Sequence, residues 1–288
     1  MSVRWPAAAL VALWLLAPRG VWAEERIRVR LVGSGRVLDL RLEDYVAGVV
    51  AGEMPPGFPL EARKAQAVAA RSYALTRKLE AQASGKPWDI GDSVLAQAYR
   101  GRDSPEARSA AEATAGEVLV KGMEPVEAYF HAACGGRTES GQAALGKDLP
   151  YLASVECGYC DDAPGVRWRR EFGAAELGRL AGLAGPADAV RVVARTASGR
   201  AERVEIGRGD RVQSLSAADL RQRLGFSRLP SLAFEVVPAP GGFAFEGRGL
   251  GHGAGMCQYG AAGMARAGKG CREILAHYYP GTEVVRMY

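Results

Sequence analysis

After its first two dozen residues the 288-residue chain has no apolar run long enough to cross a bilayer, which excludes a membrane-spanning body. It has no Lys/Arg tract interleaved with aromatics, and aromatics are only 8% of it, so nucleic acid is not an expected partner. No His-Glu-x-x-His occurs, which removes the helical motif of many zinc hydrolases. Its one glycine-rich stretch is not followed by Gly-Lys-Ser/Thr, so it is not a phosphate-cradling Walker loop. Nor does that stretch sit in the βαβ setting of a dinucleotide fingerprint. No repeat or low-complexity segment is present.

What remains is ordinary globular composition, 24% charged and 48% hydrophobic, in a chain long enough for one large domain or two small ones. The first 23 residues stand apart, with a basic Arg4, an apolar run from about Pro6 to Ala17 and a small-residue cleavage site at Val21-Trp22-Ala23. They read as a secretory signal peptide, the alternative being an uncleaved anchor, and either places the folded part outside the cytoplasm. The formal charge of +5 falls to about +3 without Arg4 and Arg19, a mild preference for acidic polymers such as cell-wall glycan. Five cysteines are an odd number for an exported chain, so they cannot all pair internally.

Alternation in Arg26–Gly33 and Arg36–Leu42, around Ser34-Gly35, predicts a hairpin. A helical stripe follows through Tyr45, Val46, Val49 and Val50, stopped by Pro55 and Pro56. A longer alanine-rich helix is predicted from Leu60 to about Gln82. Strands are predicted at Glu117–Lys121 and Pro125–His131, and again near Ala233–Val237 and Phe243–Gly247, before two helices between Met256 and His277. Residues 165–232 change character and read as an inserted lobe or cleft wall, with a capped helix at Ser216 and Asp219. The irregular order of elements gives an α+β class, a core of residues 26–164 and 233–288 carrying the smaller lobe.

Three places invite chemistry. Glu53 closes the first helix, where the free carbonyls and the negative end of the helix dipole disfavour an ionised carboxylate by a few tenths up to about 1 kcal/mol. That setting suits a general acid, although helix ends also carry plain surface glutamates. The second is the run Gly247, Gly249, Gly251, Gly253 and Gly255, with His252 inside it. Alternating glycines let backbone approach something bulky, and the following helix would aim free N–H groups at the same place. The plainer alternative is a connector with His252 as a structural hydrogen-bonder. The third is His131-x-x-Cys134 with Cys157-x-x-Cys160, separated by 22 residues, four ligands in two short chelates. They fit a closed structural zinc site, with a Cys157–Cys160 disulfide as the rival; Cys257 and Cys271 are left either bridged or as buried thiols.

The stretches "LEDYVAGVVAGEMPPGFPLEARKAQAVAARSYAL", "YFHAACGGRTES" and "GRGLGHGAGMCQYGAAGMARAGKGCREILAHYYPGTEV" resemble the stage II sporulation protein D (SpoIID/LytB) family. The resemblance implies a peptidoglycan lytic transglycosylase acting on glycan strands stripped of stem peptides, with Glu53, in its "EMP" motif, as the catalytic acid. It implies that Gln66, Arg71, Tyr73, His252, Gln258 and Tyr259 line the glycan cleft. It also implies that some members bind zinc near the "HxxCGGRTE" segment, in line with His131, Cys134, Cys157 and Cys160, without any cofactor being needed for the chemistry. The LytB side implies a different possibility, a non-catalytic glycan binder that enhances a partner amidase. Such domains also occur outside spore formers, so no developmental role follows. This chain departs from the family pattern at Cys257, where a serine is usual, and at Leu250, where a tryptophan would offer an aromatic face to a sugar. Glu139 is the one other acid singled out for test.

Overall fold

The computed structural model describes residues 24–92, 97–99, 101 and 104–288; the expected leader, residues 1–23, lies outside them. The chain enters as β1 (Arg26–Arg30) and returns antiparallel as β2 (Val37–Arg41), with Arg26 opposite Arg41. Helix α1 (Leu42–Glu53) follows directly, its first turn held by Arg41, whose guanidinium donates to both Asp44 oxygens at 2.6 and 2.8 Å. It ends as predicted: Met54 is extended and two prolines follow.

Helix α2 (Leu60–Ala83) is the spine of the molecule. Its alanines Ala62, Ala65, Ala67, Ala69, Ala70 and Ala74 are all buried, and side chains this small let neighbouring helices lie close on several sides. β3 (Ile90–Gly91) adds in parallel beside β1. Ser104 caps α3 (Pro105–Ala113) by accepting the Ala107 N–H at 3.2 Å, with proline at the first helical position. β4 (Glu117–Lys121) forms where predicted.

The strand expected over Pro125–His131 is cut to two fragments, β5 (Glu124–Pro125) and β6 (Phe130–His131). Between them Ala128 and Tyr129 donate to carbonyls only two residues back, at 2.8 and 2.9 Å, which turns the chain instead of laddering it. A short helix, α4 (Gly141–Leu145), capped by Ser140, precedes the cysteine segment.

β7 (Arg167–Gly173), α5 (Ala174–Leu180), β8 (Ala189–Arg195), β9 (Ala201–Arg208), β10 (Arg211–Ser216), α6 (Ala217–Leu224), β11 (Ala233–Ala239) and β12 (Gly242–Arg248) build the second lobe. Two three-stranded sheets, β10-β9-β8 and β11-β12-β7, enclose their own apolar cluster around Leu177, Val204, Ile206, Leu220 and Phe245. Ser216 caps α6 as predicted, accepting the Asp219 N–H at 3.0 Å. The expected lobe boundary at residue 232 needs correction. β11 and β12 were assigned to the core, but β12 pairs along its whole length with β7, and Phe234, Phe243 and Phe245 lie in the lobe's apolar cluster. The lobe therefore runs to about Arg248.

The chain then re-enters the first core through β13 (Met256–Cys257), parallel to β6, and continues as α7 (Gln258–Arg266), α8 (Cys271–Tyr278) and β14 (Glu283–Arg286), which pairs with β4. The main core joins α1, α2, α7 and α8 through Tyr45, Val46, Val49, Ala69, Ala262, Ile274 and Tyr278, all fully buried. Burial of each larger one contributes roughly 1.5–3 kcal/mol. Helices and several small sheets make the fold α+β, as expected. No described helix is long and apolar enough to cross a membrane.

Candidate functional site

Glu53 sits half-buried at the last residue of α1, with its carboxylate held on both sides. Oε1 accepts the Ala98 backbone N–H at 2.8 Å, and Oε2 accepts from Nε2 of Gln258 at 3.3 Å. The same Gln258 amide donates to Oε1 of Gln66 at 3.2 Å. Gln66 is fully buried on α2 and its own Nε2 has no partner among the described residues. So α1 and the first residue of α7 meet at one carboxylate, and α2 is tied to it through Gln258. Lying at the end of its helix, Glu53 has backbone conformation behind it that no longer follows α1, and the Pro55-Pro56 break prevents the helix from covering it.

A groove of about 920 Å³ begins two residues past Glu53, lined by Pro55, Pro56, Phe58, Tyr159, Asp161 and Tyr259 among others. Tyr259 packs edge-on against Phe58, with ring centroids 4.9 Å apart, and Tyr159 is 41% exposed. Proline and aromatic faces of this kind are what a sugar ring stacks on.

The other residues expected at the cleft divide. Gln258 lies against the Glu53 carboxylate with Gln66 behind it, and Tyr259 lines the groove. Arg71 does not: its side chain is 0% exposed and donates to Glu43 at 2.5 and 3.0 Å and to the carbonyls of Ala111 and Glu117 at 3.1 and 3.0 Å. It is a strut tying α2 to α1, α3 and β4. Tyr73 is nearly buried, packs edge-on against Tyr129 at 5.3 Å and lies beneath the Arg77 guanidinium; burial pushes its hydroxyl up to about 12. His252 takes the structural role its alternative reading allowed. Its Nδ1 accepts the Ala254 N–H at 3.1 Å, so its Nε2–H donates to the Phe130 carbonyl at 2.9 Å. Burial lowers its pKa to about 4, which keeps it neutral.

The neighbouring acids are engaged elsewhere. Glu43 is paired with Arg71, and Glu61 accepts from Lys64 at 2.7 Å and from the Cys271 N–H at 2.8 Å. Glu139 is 2% exposed and accepts from Thr196, Ser198 and the Ser140 N–H at 2.5, 2.7 and 2.8 Å, which makes it a clasp between core and lobe.

The cysteines assemble differently from expectation. Sγ atoms of Cys134, Cys157, Cys160 and Cys257 all lie within 4.8 Å of one another, and all four residues are buried. His131 is not in this group. Its ring lies by His252, with Nδ1–H donating to the Ala254 carbonyl at 3.1 Å and Nε2 buried without a partner among the described residues. The expected set of His131, Cys134, Cys157 and Cys160 is thus corrected at one position, because the parallel pairing of β6 with β13 carries Cys257 to the cluster. Cys271 stays apart at the start of α8, and burial pushes its thiol up to about 12.

Residues 33–120 match the family described as Stage II sporulation protein. Stage II sporulation protein D of Bacillus subtilis is 32% identical over 274 residues, covering 90% of this chain and 78% of its own. The chain belongs to the stage II sporulation protein D family. An uncharacterized protein of Brachyspira hyodysenteriae is 36% identical over 255 residues, covering 86% of this chain and 68% of its own. The amidase enhancer of Bacillus subtilis is 27% identical over 285 residues, which cover 82% of this chain but only 39% of that protein. Residues 161–255 match a domain of unknown function, DUF8618, a span that takes in β11 and β12 and so follows the observed lobe.

Sequence reasoning missed two contributors to the site. The first is Gln97-Ala98-Tyr99: Ala98 supplies a donor to Glu53, Gln97 accepts from the Tyr45 hydroxyl at 2.9 Å, and Tyr99 stacks on Tyr45. Its signal was faint, a backbone N–H having no sequence signature; the only trace is Gly48 on α1, where a Cβ would strike the Tyr99 ring. The second is Cys257, whose signal was the cysteine count itself: five is a cluster of four plus one.

Proposed function

We propose that this protein is an exported cell-wall lytic transglycosylase that cuts peptidoglycan glycan strands, denuded strands above all, leaving 1,6-anhydro-muramyl ends. The observation that carries the reading is Glu53, held by Ala98 and Gln258, whose chain neighbours Pro55 and Tyr259 line a groove with aromatic and proline side chains.

Glycosidases that activate water use two carboxylates about 5–10 Å apart. Here Glu43, Glu61 and Glu139 are all held by other partners; Asp161 and Asp162 line the groove, and under a one-acid reading their replacement by Asn leaves product formation intact. Glu53 protonates the leaving glycosidic oxygen. The 6-hydroxyl of the same muramyl residue attacks the sugar's anomeric carbon, and the Glu53 carboxylate takes that hydroxyl's proton as the anhydro ring closes. No water is consumed, and attack from within one ring gains the advantage of a tethered nucleophile.

Gln258 suits both states of such an acid. As placed, its Nε2–H₂ donates to the carboxylate; turned about its last torsion, its Oε1 accepts from the protonated form. Gln66, turned with it, then donates its presently unpartnered Nε2 to the same oxygen. Phe58, Tyr159 and Tyr259 bind sugar faces and hold water off the reacting bond.

A second reading draws on the amidase enhancer relative: a glycan binder that stimulates a cell-wall amidase without cutting the strand itself. Glu53→Gln separates the two. Under the first reading it binds denuded glycan with wild-type affinity and makes no anhydro product; under the second, amidase stimulation survives and neither protein makes product. Turnover by a folded Glu53→Gln protein refutes the first.

A further inference from the structure

We infer that Cys134, Cys157, Cys160 and Cys257 bind one zinc ion, and that this ion pins the start of α7, where Gln258 begins, to the loop that carries Tyr159. Four observations carry this. Four buried sulfurs mutually within 4.8 Å match the edges of a tetrahedron with metal–sulfur bonds of about 2.3 Å, which give sulfur–sulfur spacings of roughly 3.8 Å. The donors come from three separate segments: Cys134 beyond β6, Cys157 and Cys160 bracketing Gly158-Tyr159, and Cys257 as the N-cap of α7.

The surroundings are built for thiolate. Backbone N–H groups of Cys134 and Gly260 point at Cys257 Sγ, 3.3 and 3.2 Å away, and the Tyr278 hydroxyl lies 3.1 Å from Cys157 Sγ. A zinc ion with four thiolates carries net negative charge, and two positive features face it. One is the N-terminal end of α7. The other is Arg200, 4% exposed and reaching in from the lobe to donate to the Cys134 and Arg137 carbonyls at 2.9 Å, its Nε unpartnered.

Helix α7 is also shaped to receive the cysteine loop. A Cβ on Gly260 would sit 2.6 Å from Cys157 Sγ, and one on Gly263 would collide with the Tyr159 carbonyl. On binding, each thiol loses its proton to solvent as its sulfur–zinc bond forms, and no oxidant is involved. All four positions are then filled by protein, so the ion holds structure and activates no water. The metal assignment stands on its own; only its consequence for Gln258 rests on the glycan-cleaving reading.

The test is metal analysis of the intact protein, then replacement of the metal by Co²⁺. The expected result is one zinc per chain and, with cobalt, the thiolate-to-metal charge-transfer and tetrahedral bands of a four-sulfur site. His131→Ala should leave that spectrum unchanged, whereas Cys257→Ser should weaken cobalt affinity at least tenfold and shift the charge-transfer band. Removing the metal should speed amide exchange at Gly260 and Ala261 while leaving β9 in the lobe unchanged, a readout independent of any glycan cleavage. Iron or no metal in the wild type, disulfides among these four cysteines by intact mass, or a His131→Ala spectrum altered as much as that of Cys257→Ser would each overturn the assignment. Because the wild-type protein alone supplies the first two measurements, a variant that fails to fold does not shield the claim.

Discussion

Replacing Arg71 by Met distinguishes a strut from a substrate ligand. The guanidinium is fully buried, and its loss leaves the Ala111 and Glu117 carbonyls short of a donor and Glu43 short of its ion pair. Removing one partner of a buried pair costs about 3–5 kcal/mol. Glu43 retains the Gly116 N–H at 3.1 Å, the Tyr288 hydroxyl at 2.7 Å and a side chain 26% open to water, which favours the lower end, about 3 kcal/mol. For a chain of this size a loss of 1 kcal/mol lowers Tm by roughly 2–4 °C, so a fall on the order of 6–12 °C is expected by circular dichroism. Glu43→Gln should cost less, and the double variant less than the sum, since the two share one interaction. Glycan affinity below the transition should stay at wild-type level. An unchanged Tm with lost glycan binding would refute the strut and restore Arg71 to the cleft.

Gln258→Leu removes a hydrogen bond to a charged group worth about 1.5–3 kcal/mol, so kcat/KM on denuded glycan should fall roughly 10- to 150-fold, and the loss of its bond to buried Gln66 should lower stability by about 1–3 kcal/mol in urea denaturation. Gly260→Ala drives a methyl into the Tyr278 hydroxyl and Cys157 Sγ, and overpacking of this kind should cost about 1–3 kcal/mol in urea denaturation. His252 has a pKa lowered from 6.5 to about 4, so the unfolded chain binds its proton first as pH falls. Its contribution is therefore complete above pH 6.5 and is lost as pH falls from 6.5 to about 4, on the order of 3 kcal/mol in all; the slope of stability against pH in that window should flatten in His252→Asn.

Local signals carried the helices well. The double proline after Glu53, the buried alanine face of α2 and the cap at Ser216 are short-range features, and each element formed where its residues placed it. What was not legible depended on pairing at a distance. β11 and β12 alternate like any strand, and nothing in their residues says that β12 pairs with β7, some seventy residues earlier, rather than with the first core. His131 and Cys257 exchanged roles for the same reason, since the register of β6 against β13 decides which of them reaches the other three cysteines. Arg71 and Tyr73 share the helix of Gln66, and only the neighbours of α2 determine that Gln66 faces Gln258 while Arg71 faces Glu43. Glu53 itself was readable because its setting is local: an acid left bare where a helix has to stop.

The most direct measurement is the mass of the fragments released from purified denuded glycan strands. Anhydro ends, each fragment lighter by one water than the hydrolysed equivalent and absent with Glu53→Gln, are the expected result. Fragments carrying the added water, or anhydro fragments that persist in a folded Glu53→Gln protein, would contradict a lone acid working with the sugar's own hydroxyl.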